Sequence, residues 1–191
     1  MKYLKLVIIL ILFTFKSFSQ SIDEKSMIDE INLVRTNPKL YKTYVEDYYK
    51  KHKILLKFTG MPSYVSEAIS VLDTIGYKKP MSFDSSLYMA LMNHTGIDTN
   101  RCVVKHDNIS KRIINHSKKF SYFGENIILS ANKDLNINKS PRDCVIEFIV
   151  DYKVNSRGHR KNILSDNFTN VAVRKVSIKL EEYYIIDFAG K

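Results

Sequence analysis

A chain of 191 residues with 45% hydrophobic and 26% charged side chains can bury one real core. Its net charge is +10, but the lysines are scattered, and no RNP, zinc-finger or helix-turn-helix pattern accompanies them, which excludes nucleic acid as the reading of that charge. Adhesion to an acidic surface such as anionic lipid or polysaccharide, and a merely solvated basic face, are the two readings left.

The chain opens with Lys2 and Lys5, an apolar run over residues 6–15, and then Lys16-Ser17-Phe18-Ser19-Gln20. A basic start, a short apolar stretch and small residues near its end make a secretory signal peptide over residues 1–19, cut after Ser19. The run is too short for a permanent membrane span. Loss of its three lysines lowers the net charge from +10 to +7. The expected product is residues 20–191, a single domain, secreted or periplasmic and without a stable transmembrane anchor.

Residues 21–52 carry a helical pattern interrupted at Asn37-Pro38, so two helices are expected, with Ile28, Ile31, Val34 and Arg35 near one face of the first. The second carries Leu40, Tyr41, Tyr44, Val45 and Tyr48 at helical spacing, a packing stripe. Residues 53–62 read as a loop, 63–75 as a helix closed by Gly76, and 76–80 as a turn. Residues 83–99 predict a long helix with Leu87, Ala90, Leu91 and His94 on one face. A short basic helix follows at 110–116, a strand at 122–129 and a polar loop at 131–139. Ser140 is an N-cap with Pro141 in the first turn. That helix is expected to reach about residue 154, with Cys144, Phe148 and Asp151 on one face. A short helix at 157–165 precedes strands at 168–178 and 182–189, joined as a hairpin by Lys179-Leu180-Glu181. Helices flanking a small antiparallel sheet imply one layered domain.

Of five histidines, His52 and His116 lie in basic surroundings and His94 reads as a satisfied core residue. His106, beside Asp107, and His159, after Gly158, lie in irregular or element-start sequence, where functional groups concentrate. Glu125 interrupts an apolar, strand-like run and must be paired or solvent-lined. Glu147 and Asp151 share one helix edge. Two neutral imidazoles with carboxylates suit Zn²⁺ or another divalent metal, or general acid–base chemistry; a buried stabilising cluster is the competing reading. HExxH and GxSxG are absent. Cys102 and Cys144 are not a CxxC pair; in an exported chain they could be bridged, or Cys144 could be a buried free thiol. Asn-x-Ser/Thr triplets such as Asn108-Ile109-Ser110 carry little weight in a chain so rich in Asn.

Three stretches together resemble one family: Gly124-Glu125-Asn126-Ile127, Gly158-His159-Arg160-Lys161-Asn162-Ile163-Leu164 and Ile186-Asp187-Phe188-Ala189-Gly190. They look like the bacterial branch of the CAP superfamily (SCP-like), which includes cysteine-rich secretory and pathogenesis-related proteins. The opening Glu30-Ile31-Asn32-Leu33-Val34-Arg35-Thr36-Asn37-Pro38 resembles the family's first helix. The resemblance implies an α+β fold, a three-layer α-β-α sandwich with a small, mainly antiparallel central sheet. It also implies a cleft of two histidines and two acids, which binds zinc in several members. Carried over, these are His106, His159 and Glu125, with Asp151 as the second acid and Glu147 as its alternative. Many members carry Trp-x-x-Glu on the preceding helix; this chain has no Trp. Their disulfide pattern and ion-channel-regulating extension are missing too.

The function expected is a non-enzymatic exported binding module, with a metal in the cleft and a groove or surface for lipid, glycan or protein. The alternative is a metal-dependent, peptidase-like hydrolase with Glu125 or Asp151 as general base. A structural or adhesive basic surface is the third reading.

Overall fold

The computed structural model describes residues 20–191, so the expected signal peptide and its cleavage point lie outside the described residues. The first helix, α1 (Ile22–Thr36), begins with a capping box in which Ser21 and Glu24 satisfy each other's backbone N–H groups. Asn37 closes α1 and caps α2 (Pro38–Lys51), as the Asn-Pro break predicts. A short 3-10 helix (Lys53–Lys57) and α3 (Met61–Thr74) follow.

The long helix expected over 83–99 is much shorter. Phe83 belongs to a two-residue strand, β1 (Ser82–Phe83), and Asp84 caps α4 (Ser85–Met92). Beyond it the chain turns into a small ribbon of β2 (Ile97–Asp98) and β3 (Val103–Val104). Gly96 explains the stop: an added Cβ would lie 1.9 Å from the Lys105 carbonyl oxygen, so only glycine lets these backbones meet. His94 therefore lies past the helix, although it is buried.

After α5 (Ile109–His116), β4 (Tyr122–Asn132) runs three residues further than expected, and a two-residue strand, β5 (Ile137–Asn138), occupies part of the polar loop. The helix α6 (Pro141–Val150) begins at the expected Ser140 cap but ends four residues early, because Asp151 adopts a left-handed conformation (φ 56°). Then come α7 (Gly158–Leu164), β6 (Asn170–Ile178) and β7 (Glu181–Gly190), the last two forming the expected hairpin.

The sheet order is β1-β6-β7-β4-β5, antiparallel except for β1 against β6. Alternation along β7 assigns the two faces. Tyr184, Ile186 and Phe188 pack with α1, α2, α3 and α6, while Ile185 and Ala189 pack with Leu87 and Leu91 of α4 and Ile113 of α5. The result is the expected α+β, three-layer α-β-α sandwich. On its outer side β4 meets only β5, and only at Ala131 and Asn132, so residues 122–129 form an open edge among the described residues.

The two cores also decide the cysteines. Cys144 lies in the α6 layer and Cys102 against the opposite one, and both are free thiols. The bridge between Cys102 and Cys144 is corrected to two separate thiols, because the sheet stands between them. Among the described residues no helix is long and apolar enough to cross a membrane.

Candidate functional site

The site is assembled around Glu125 and Asn126, adjacent residues of β4 whose side chains leave opposite faces of the strand. Glu125 is buried and points toward the α4–α5 layer. Its Oε1 lies 2.7 Å from His106 Nδ1, and its Oε2 accepts from Arg112 Nη2 at 2.6 Å. Arg112 also donates to Asp107 (3.0 Å) and, very closely, to Asp187, the residue facing Glu125 across the β4–β7 ladder.

His94 completes this cluster. Its Nδ1 accepts the Gly96 N–H, so Nε2 carries the hydrogen in the neutral ring. Nε2 lies 3.1 Å from Glu125 Oε2, a close approach without hydrogen-bond alignment. One atom each of His94, Asp107 and Glu125 lie within 4.8 Å of one another, a donor set of the kind that holds metal. Both carboxylates, however, already bond the Arg112 guanidinium, which supplies the positive charge a metal would bring.

One guanidinium serving several acids splits their proton affinities. Burial alone would raise Glu125, but the bond from His106, the approach of His94 and the charge of Arg112 outweigh it and hold the carboxyl near 2. Asp187 is fully buried, and that burial drives it up to about 7 against the pull of Arg112. The bond to Glu125 raises His106 above the ordinary imidazole value of 6.5.

On the other side of β4, Asn126 Nδ2 donates to the His159 carbonyl (3.1 Å), and Asn162 Nδ2 donates to the Asn126 side-chain oxygen (2.9 Å) and the Glu125 carbonyl (3.3 Å). These bonds seat α7 on the open edge. Gly124 permits the approach: an added Cβ would lie 2.9 Å from both Asn162 Oδ1 and Phe168 Cζ. Arg35 of α1 fixes the far end of α7 by donating to the carbonyls of Ile163 and Ser165.

Asp151 Oδ1 lies 2.7 Å from His159 Nδ1, and Oδ2 accepts the backbone N–H groups of His159 (3.0 Å) and Arg160 (3.3 Å). The loop between α6 and α7 has positive φ at Asp151, Lys153 and Arg157 (56°, 60°, 53°), sparsely populated geometry for non-glycine residues. Glu67 of α3 clamps it through Arg157 and Arg160.

His159 and Asp151 line a cavity of about 330 Å³, otherwise largely apolar, with Tyr49, Leu55, Phe58 and Phe148 among its walls. Glu147, the alternative acid, lines the same cavity but bonds Lys139 (2.7 Å) and Tyr48 (3.2 Å). The four transferred residues thus form two separate pairs, His106–Glu125 and His159–Asp151, joined through the Asn126–Asn162 bonds. The side chain of His106 is 61% exposed and that of His159 24%, against 3% and 0% for their carboxylates.

Sequence reasoning missed Arg112, Asp187 and the approach of His94 to Glu125. One signal was available. Asp187 stands in the otherwise apolar run Tyr184-Ile185-Ile186-Asp187-Phe188-Ala189, and a carboxylate there demands a buried cationic partner.

No protein-family model and no curated protein matches the chain. Among solved structures it is similar to a cysteine-rich secretory protein from Staphylococcus aureus, at 16% identity and a TM-score of 0.45, covering 69% of this chain and 38% of that one. It is also similar to an outer surface protein from Borrelia burgdorferi, at 11% identity and a TM-score of 0.42, covering 58% of this chain and 77% of that one. The chain therefore spans well under half the length of the staphylococcal protein, and likenesses this distant carry no residue roles.

Proposed function

We propose that the chain is an exported CAP-type binding module that holds Zn²⁺ or another divalent metal through His106 and His159. One observation carries the reading: each of these imidazoles turns Nδ1 to a buried carboxylate, Glu125 or Asp151, leaving Nε2 for another partner. Carboxylate-oriented imidazole is how proteins prepare histidine for metal, fixing its tautomer and raising its basicity. In this reading Glu125 and Asp151 orient the ligands and do not themselves bind, and solvent fills the remaining positions. The motifs around Gly124 and Gly158 support the family assignment, and the sequence start supports export. The cavity beside His159 would take an apolar portion of an extracellular ligand, whether lipid, glycan conjugate or protein side chain.

The test is calorimetric titration of Zn²⁺ into residues 20–191 and into the His106→Ala/His159→Ala variant. One-site binding that the variant loses is the expected result. Equal affinity in both would reject the site.

A metal-dependent, peptidase-like hydrolase is the second reading, favoured by the Asp151–His159 pair at the cavity wall. An imidazole held by aspartate can accept a proton from water, and a metal bound beside it would supply Lewis acidity. No serine, threonine or cysteine is bonded to His159 among the described residues, so water would be the nucleophile. Chelator-sensitive turnover of mixed peptides, abolished in Asp151→Asn, would favour this reading; no turnover would leave the binding module.

A further inference from the structure

We propose that residues 50–58, at the mouth of the apolar cavity, dock the protein on an anionic lipid bilayer. The segment joins the end of α2 to the 3-10 helix Lys53–Lys57 and reads Lys-Lys-His-Lys-Ile-Leu-Leu-Lys-Phe. Ile54 is 63% exposed and Phe58 52% exposed, four positions apart, with Leu55 and Leu56 half-buried between them. Lys50, Lys51, Lys53 and Lys57 flank them along the chain, all exposed and none ion-paired among the described residues. Residues 48–66 contain no acid at all.

The two properties together select the occupant. Two large apolar side chains exposed four positions apart in one short segment of a folded chain mark a contact surface. A second copy of the chain would set two such lysine groups against each other, a repulsive arrangement. An anionic polysaccharide would satisfy the lysines and leave Ile54 and Phe58 in water. A bilayer with acidic headgroups satisfies both, with apolar side chains entering the acyl boundary and ammonium groups staying at the phosphate level. Leu55 and Phe58 also line the cavity, so docking by this segment turns the cavity mouth toward the lipid. Leu55 and Phe58 share the cavity with His159 and Asp151, but docking through the lysines, Ile54 and Phe58 uses neither His106 nor His159 and stands whether or not the site holds a metal.

The test uses residues 20–191, which contain both cores, with vesicles of phosphatidylglycerol and phosphatidylcholine and with pure phosphatidylcholine. Salt-sensitive co-sedimentation with the acidic vesicles alone is expected. Each Lys→Gln change in the segment should weaken it about fivefold at low salt. Ile54→Ser/Phe58→Ser should weaken it at least about tenfold, and Ile54→Ser alone, at the more exposed position, should weaken it with little change in the thermal midpoint. The chain has no tryptophan, so Ile54→Trp gives a single tryptophan, excited selectively over the tyrosines, whose emission should shift to the blue on the acidic vesicles. Four results would overturn the proposal: no binding to acidic vesicles, affinity unchanged in the double serine variant, no shift from the tryptophan, or a dimer that the serine variant abolishes.

Discussion

Asp151 Oδ1 lies 2.7 Å from His159 Nδ1, while the other oxygen of the same carboxylate accepts the backbone N–H of His159 at 3.0 Å. One side chain thus fixes the ring and starts the helix that carries it. It can do so because Asp151 ends α6 in a left-handed turn, which aims its carboxylate at the first turn of α7.

Asp151→Asn keeps the shape but replaces one acceptor with a donor. Unfolding in urea should lose about 1–3 kcal/mol, the range for an unsatisfied buried group. Zn²⁺ affinity should fall about 10- to 100-fold if His159 is a ligand, since its orienting carboxylate is gone. Calorimetry beside the unfolding curve separates the two effects.

The Glu125–Arg112–Asp187 cluster predicts how stability depends on pH. Asp187 has a folded value near 7 against its ordinary 3.8, and His106 is raised above 6.5. Both bind protons more tightly when folded, so their contributions are present in acid and lost as pH rises through the folded values. Glu125 is held near 2 against an ordinary 4.5, so its contribution is present above 4.5 and lost as pH falls toward 2. Stability should rise from pH 8 to a maximum at about pH 4, between the ordinary values of Asp187 (3.8) and Glu125 (4.5), and fall below it. Thermal midpoints across this range check the curve, and Asp187→Asn should flatten its alkaline limb.

Gly124→Ala tests the seating of α7. The added methyl would lie 2.9 Å from Phe168 Cζ and Asn162 Oδ1. A loss of about 1–3 kcal/mol is expected, as for other overpacked sites. Asn162→Ala, combined with it, should return part of that loss by removing one of the two clashing groups, a coupling that a double-mutant cycle measures.

The cysteines should react unequally. Cys144 is fully buried, and burial pushes its thiol up to about 12. Cys102 is partly exposed and also free. A maleimide should label one thiol in the folded protein and two in denaturant, with or without reductant. A second thiol that appears only after reduction would mean that the two meet.

Several elements were legible because their causes are local. Ser140-Pro141 marks a helix start, Asn37-Pro38 a break and Lys179-Leu180 a hairpin, each through the backbone preferences of a few residues. The length of α4 was not legible, since the stop is a contact between Gly96 and Lys105, nine positions apart in a ribbon too short to give a pattern. Asp151 was expected on a helix face, yet its left-handed turn is set by what lies beyond it, the N–H groups of α7. In the site, Glu125, His106, His159 and Asp151 could be named from residue type and resemblance. Their pairing could not, nor could the sharing of one guanidinium among Asp107, Glu125 and Asp187.

By itself, the sequence determined the α+β class, the order of nearly all the elements and some of the polar residues that need partners, Glu125 and Asp151 among them. Periodicity and capping act within a turn or two of chain, and a charge in an apolar run is costly wherever it lies. Only the tertiary structure decided which partner each received. The sheet places Cys102 and Cys144 on opposite faces, sets Glu125 against Asp187 by ladder register, and leaves the edge of β4 open for α7. Those are distances between segments far apart in the chain, and no local preference encodes them.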